Sequence, residues 1–348
     1  MEEIFDIPIV LFMFKRRDKT LQILSRVSQV QPNKLYLLSD YGRNDDEVCL
    51  ALETRKAVEE AIDWDCEIIK DYADKNRGVY EQIGLGAKRI LESEWAAIFL
   101  EDDNLPEVGF FRFCKEMLER YKYDTRVLWI CGTNYLEQYE PIDGSDYVFS
   151  QHMMPCGWAS WGNKFPRYYD FNFEVFSNIH IQRKLRRVYG DSKLYKYDMG
   201  RIIHESDRGK FAEGSKYISW DYHMAATLRA HNLYGIVPKK NQIENIGVDE
   251  LSEHGGTSFN NIMTRRFCGI KSFPMQFPLN HPIALLPDHR FDKLTTRIVI
   301  PPWYILLRHR VIGRPLRRIL KVPENISMLS WARGILRKRK NTIKGDTI

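Results

Sequence analysis

Between residues 8 and 132, apolar runs of strand length alternate with segments of helical periodicity, and few folds accommodate that rhythm. The strand-like runs are 8–14 (PIVLFMF), 34–40 (KLYLLSD), 66–70 (CEIIK), 96–103 (AAIFLEDD) and 126–132 (RVLWICG), and the helical segments are 18–30, 46–62, 79–91 and 108–121. A βαβα series buries its strands under helices on both faces, so the expected class is α/β with a Rossmann-like, mostly parallel sheet. Ligands of such sheets bind beyond the carboxyl ends of the strands. The polar residues that follow each strand therefore matter most: Arg16 and Arg17 after the first, Asp40 after the second, Asn76 and Arg77 after the third, and Glu101, Asp102 and Asp103 after the fourth.

Over 135–245 the pattern turns irregular and rich in Trp and Tyr, with a helix expected over 221–231 because Tyr222, Met224 and Leu228 share a face. At 348 residues, 44% of them hydrophobic, the chain can bury one large core or two modest ones. The formal charge of +6 is unevenly spread, since residues 297–344 hold thirteen Lys or Arg against the single acid Glu324. Six cysteines without a C-x-x-C pair, most of them among apolar neighbours, suit reduced thiols in a reducing compartment and no structural zinc. The N-terminus lacks the basic start and cleavage site of a signal peptide, and no apolar run reaches the roughly 18 residues of a bilayer span.

The acidic triplet Glu101-Asp102-Asp103, followed by Asn104, carries the strongest chemical signal. Crowded carboxylates repel unless a cation or strong donors neutralise them, and a hard divalent ion with oxygen ligands is a common solution. Such an ion can hold a diphosphate and stabilise its charge as it leaves. Taken alone, the triplet is equally compatible with a solvated acidic turn. In company with Arg16, Asp40 and Arg77 at neighbouring strand ends it describes a nucleotide site, where guanidiniums suit a base carbonyl or phosphate and Asp40 suits a base or ribose donor.

The stretch IFLEDDNLPEVGFFRFCKEMLERYKYDTRVLWICGTN, residues 98–134, resembles the N-acetylglucosaminyltransferase that starts complex N-glycans, and more closely the bacterial family 2-like sugar transferases that share its donor-binding fold. The likeness extends to PIVLFMFKRRDKT, LYLLSDYGR, CGWASW, SWDYHM and ENIGVDELSEHG, within residues 8–258. It implies a GT-A fold, with 1–134 as the donor-binding half, 135–290 as the acceptor and catalytic half, and 291–348 as a basic amphipathic helical tail. It further implies Asp103 as the ligand of Mn²⁺ or Mg²⁺, and a donor site formed by Phe14, Arg16, Asp40, Arg77, Glu101 and Asp102. Asp221 is the implied general base of an inverting displacement, with a helix N-cap as its alternative role. His254 joins the expected metal site, and Trp158 and Trp161 are expected either to stack on an acceptor sugar or to lie in the core. One departure touches the base pocket: the family turn often runs Asp-Gly-Pro-Arg, whereas this chain has Asp40-Tyr41-Gly42-Arg43.

The expected activity is transfer of a hexose or N-acetylhexosamine from a nucleotide-sugar donor, uridine-linked, to a cell-surface glycan or lipid-linked acceptor. In the tail, Trp303, Tyr304, Leu306, Leu307, Leu316, Ile319 and Leu320 interleave with Arg and Lys. That pattern suits an anionic membrane surface, hence a peripheral place on the inner face, or a helix pair covering the core. A nucleotidyltransferase is the alternative enzyme, disfavoured because FKRRDKT has no glycine to cradle a triphosphate. An inactive glycan-binding or nucleic-acid-binding protein is the alternative outside enzymes; nucleic acid is not expected, because regular apolar interleaving suits lipid better than a phosphate backbone.

Overall fold

The computed structural model of the chain describes residues 5–211, 217, 219–249, 258–308, 311 and 314–320. The chain divides into two compact units, residues 1–299 and 300–348. In the first unit the order is β1 (Ile9–Met13), α1 (Arg17–Val27), β2 (Lys34–Ser39), α2 (Asp45–Glu60), β3 (Glu67–Tyr72), a π-helical stretch Tyr80–Leu85 running into α3 (Gly86–Ser93), β4 (Ala96–Glu101), β5 (Asn104–Pro106), α4 (Gly109–Arg120), β6 (Val127–Cys131), β7 (Tyr147–Ser150), β8 (Trp158–Trp161), β9 (Tyr234–Pro238) and β10 (Ile243–Asn245). Helices Ser192–Phe211 and Asp221–Ala230 fall between β8 and β9.

Eight strands form one sheet in the order β3-β2-β1-β4-β8-β6-β9-β7, and β10 pairs with β5 in a small second one. β3, β2, β1 and β4 are mutually parallel; β8 runs against both β4 and β6, β9 follows β6, and β7 runs against β9. This is the mostly parallel α/β sheet that the strand and helix rhythm implies. Because the sheet includes β6, β8 and β9, it joins residues on both sides of position 134 into one sheet.

Alternation along the buried strands sorts side chains onto two faces. Ile9, Leu11 and Met13 meet Ile23 and Leu24 of α1 and Phe111, Cys114 and Met117 of α4 on one face. Val10 and Phe12 meet Ile83, Ala87 and Ile90, together with Met224 and Leu228, on the other. Each such large side chain removed from water contributes roughly 1.5–3 kcal/mol, so covering both faces holds the strand ends in place.

The segment CGWASW contains β8, which the irregular pattern concealed. All four of its residues are buried, so there is no polar alternation to read. Its entry turns on Gly157 at φ +60, where a Cβ would also strike Ile243 at 2.4 Å. Trp158 stacks between Phe99, with ring centroids 3.9 Å apart, and Trp129 at 4.1 Å, while Trp161 donates its indole N–H to the Leu118 carbonyl at 2.9 Å. With 1% and 0% exposure, neither ring offers a face to an acceptor sugar, which corrects that expectation in favour of the core.

In the second unit, the helices Trp303–Arg308 and Arg314–Ile319 are described. Trp303 is 74% exposed and Ile319 75%, and Tyr304, Leu306, Leu307, Val311, Leu316 and Leu320 are exposed as well. Among the described residues no helix is long and apolar enough to cross a membrane.

Candidate functional site

From β1 the chain passes to β2 and β3 on one side, then crosses to β4 on the other, so β1 and β4 flank the point where strand order reverses. A crevice opens at such a point, beyond the carboxyl ends. Arg16 follows β1 there, and the acidic triplet ends β4. The Arg16 guanidinium bridges Asp102 at 2.8 Å and Asp103 at 3.1 Å. The Phe14 backbone N–H donates to Asp102 at 3.3 Å, and Asn104 donates its amide to Asp103 at 2.6 Å. Asn104 also accepts from the Gly157 N–H at 2.8 Å, which fastens the triplet turn to the start of β8.

Three carboxylates thus face one guanidinium. Among the described residues the side chain of Glu101 has no hydrogen-bond or ion-pair partner. Burial, then Asp103 and Asp102, and beyond them Asp221, push Glu101 well above the usual carboxylate range. Burial likewise pushes Asp102 up to about 6, with Arg16 working against it. The cluster is therefore short of positive charge.

Asp40 is buried and accepts four hydrogen bonds. Its Oδ1 takes the backbone N–H groups of Tyr41 and Arg77, each at 2.8 Å, and its Oδ2 takes the Gly78 N–H at 2.9 Å and the Asn76 amide at 3.1 Å. These occupy about all four lone-pair directions of a carboxylate, so Asp40 shapes the 76–78 loop rather than offering itself to a ligand. Buried Arg55 braces the same corner by donating to the carbonyls of Ser39, Asp40 and Ala73. The Arg77 guanidinium turns to Asp71 at 2.8 Å.

Asp221 is the first residue of its helix; Trp220 holds the N-cap position, and the Ser219 hydroxyl donates to the Asp221 carboxylate. Asp221 lines a cleft of about 220 Å³ together with Tyr135, Cys156, Tyr222 and Phe267. Cys156 connects that cleft to the triplet: burial, then Asp103 and Glu101, push its thiol well above its ordinary range, and Asn245 donates to its sulfur at 3.6 Å. Asp221 and the triplet therefore face a common region, within electrostatic reach of each other through Glu101.

The segment after β10 lies directly against the triplet. The Ile246 N–H donates to the Asp103 carbonyl at 2.9 Å, and Lys19 of α1 pairs with Asp249. A Cβ on Gly247 would stand 2.2 Å from Asp103 Oδ2 and 2.9 Å from Arg16 Nη1. Gly247 escaped the sequence reading because it belongs to no glycine-rich motif; its only signal was its place in ENIGVDE. His254 lies outside the described residues. Among the described residues no cluster of three or more His, Cys, Asp or Glu side chains is arranged to enclose a metal ion.

No sequence-family profile and no curated protein matches the chain. Among solved structures it is similar to the mannosyltransferase PcManGT from Pyrobaculum calidifontis in complex with GDP-Man and Mn²⁺, at 10% identity and a TM-score of 0.34, over 64% of this chain and 69% of that one. It is also similar to a UDP-glucose pyrophosphorylase complexed with UDP-glucose, at 10% identity and a TM-score of 0.32, over 69% of this chain and 93% of that one. Likeness at this level identifies no activity, and the α/β fold stands on the strand order itself.

Proposed function

We propose that the chain is a glycosyltransferase that binds a nucleotide-sugar donor, uridine-linked, at the β1/β4 crevice and transfers its hexose or N-acetylhexosamine to an acceptor hydroxyl in the Asp221 cleft, with inversion. The observation that carries this reading is the deficit of positive charge at the crevice: Arg16 neutralises part of a three-carboxylate cluster and Glu101 has no described partner. A divalent cation fits that chemistry. Mg²⁺ and Mn²⁺ are commonly held by one or two carboxylates plus substrate phosphates, without an all-protein cage. Asp103 is the residue to hold it, since among the described residues each of its oxygens accepts a single hydrogen bond and keeps a lone pair. When bound, Mn²⁺ or Mg²⁺ would neutralise negative charge on the diphosphate.

The chain's own residues supply the rest. Arg16 orients Asp102 and Asp103, Asp40 shapes the loop that borders the nucleotide, and Asp221 accepts the proton of the attacking hydroxyl as the new glycosidic bond forms and the donor's C1–O bond breaks, its electron pair leaving with the nucleoside diphosphate. The Ser219 hydroxyl, donating to Asp221, orients that carboxylate. A nucleotidyltransferase fits less well, because the turn between β1 and α1 has no glycine to wrap a triphosphate. The exposed apolar residues of 303–320, interleaved with Arg, suit the interface of an anionic membrane where a lipid-linked acceptor would be presented.

Calorimetric titration of the protein with nucleoside diphosphates and nucleotide sugars, in Mn²⁺ and then in EDTA, tests the reading. Metal-dependent binding of one nucleotide, lost in Asp103→Ala, is expected. A folded protein that binds none of them in either condition would refute it.

A further inference from the structure

Among the described residues, two guanidiniums in the Asp221 cleft lack a carboxylate in contact. Helix Ser192–Phe211 presents Asp198, Arg201 and Ile202 to the cleft, and helix Asp221–Ala230 presents Asp221, Tyr222, Ala225 and Arg229, spacings that place each set on one helix face. Arg201 lies over the Tyr222 ring at 4.2 Å, donates to the Tyr222 hydroxyl, and donates to the Tyr197 hydroxyl at 3.2 Å. Arg229 is buried over the Tyr189 ring at 4.5 Å and donates to the Gln151 side-chain oxygen at 3.1 Å. Gln151 is itself held, because it donates to Asn232 at 2.9 Å.

All of these partners are neutral. They fix the two guanidiniums in place and strip water from them without cancelling their charge, and a guanidinium has five N–H donors to satisfy. Among the described residues neither Arg201 nor Arg229 makes a contact ion pair. Two acids act on them from beyond contact, Asp198 on both and Asp292 on Arg229, yet burial pushes Asp198 up to about 6 and Asp292 above its usual range although the arginines pull them down, so they compensate incompletely. A fixed, partly dehydrated guanidinium pair without a contact counter-ion is suited to an anion brought by the ligand.

We propose that the acceptor carries an anionic group, a phosphate or a carboxylate, received by Arg201 and Arg229 in the cleft where Asp221 meets the acceptor hydroxyl. The inference rests on the transferase reading for the word acceptor; the anion site itself does not. It places selection among acceptors on helix Ser192–Phe211, through Arg201, and on the last turn of the Asp221–Ala230 helix, through Arg229.

The test holds the protein saturated with UDP and diamagnetic Mg²⁺, so that the donor crevice is filled, and measures affinities for glucose 1-phosphate, glucuronate and glucose by ligand-observed NMR. At least one charged sugar should bind ten-fold or more tighter than glucose; which one does so separates a phosphate from a carboxylate acceptor. Arg201→Gln should erase that preference, Arg201→Lys should retain part of it, and Asp198→Asn should keep or increase it. Equal affinity for charged and neutral sugars in the unmodified protein would overturn the proposal without recourse to any variant. So would a preference that survives in Arg201→Gln. If UDP does not bind but an Arg201-dependent preference is present, the transferase reading fails and the anion site stands; metal-dependent UDP binding without the preference gives the reverse.

Discussion

Gly247→Ala is a one-carbon change that should disable the crevice without replacing a charged group. The added Cβ would lie 2.2 Å from Asp103 Oδ2, where ordinary contact begins at 3.4 Å, so the two must separate by about 1 Å. Asp103 has little freedom to yield, because Arg16 holds one oxygen at 3.1 Å and Asn104 the other at 2.6 Å. The Gly247 side cannot readily retreat either: its N–H donates to the Asn245 side chain at 2.9 Å, and β10 is paired to β5. Overpacking of this kind costs roughly 1–3 kcal/mol, and a 1 Å displacement of a binding group can cost about 10²-fold. Metal-dependent UDP affinity should therefore fall by about ten- to a hundred-fold, with a melting temperature only a few degrees lower. Gly200→Ala, whose Cβ meets nothing within 4 Å on a helix, serves as control and should be neutral or slightly stabilising. Unchanged UDP affinity in Gly247→Ala, measured by titration calorimetry in Mn²⁺, would refute the assignment of the 246–249 segment to the donor crevice.

Asp221→Asn should leave UDP affinity within about two-fold while removing transfer by about 10²-fold or more, read as product per enzyme at saturating donor; near-normal turnover would mean that another group takes the proton. Asp40→Asn sets an amide N–H₂ against groups that all donate to this carboxylate, which should destabilise the protein by about 1–3 kcal/mol in urea unfolding and weaken nucleotide binding through the 76–78 loop. His152 is buried, its Nε2 sits 3.1 Å from the Asp292 carbonyl, and burial pushes it down to about 3. Below its unfolded pKa near 6.5 the unfolded chain binds a proton that the folded chain refuses, so this histidine withdraws stability as pH falls from about 6.5 towards 3. The loss should amount to a few kcal/mol, and His152→Gln should flatten the difference between unfolding at pH 4 and pH 7; an unchanged slope would show that other groups govern acid sensitivity.

The strand and helix rhythm of residues 8–132 was enough to define the α/β class and the polar residues at the strand ends, because period-two and period-3.6 burial leave direct traces in order along the chain. The triplet at the end of β4 and Arg16 after β1 were legible as strand-end residues, whereas Asp221 was singled out by the resemblance of SWDYHM at an expected helix start. Tertiary structure alone decided which strands became neighbours, and so put Arg16 against Asp102 and Asp103 across 86 and 87 positions of sequence. It also put Trp158 and Trp161 in the core, since β8 is covered on both faces and a fully buried strand looks the same as any apolar run. Asp40 was legible as a strand-end carboxylate, but its four donors come from two loops, and only their convergence reveals that it is spent on the fold. Arg201 and Arg229 left no local signal, and Gly247 left only its place in ENIGVDE. Their significance lies in distances to residues far along the chain, and sequence periodicity carries no information about such distances.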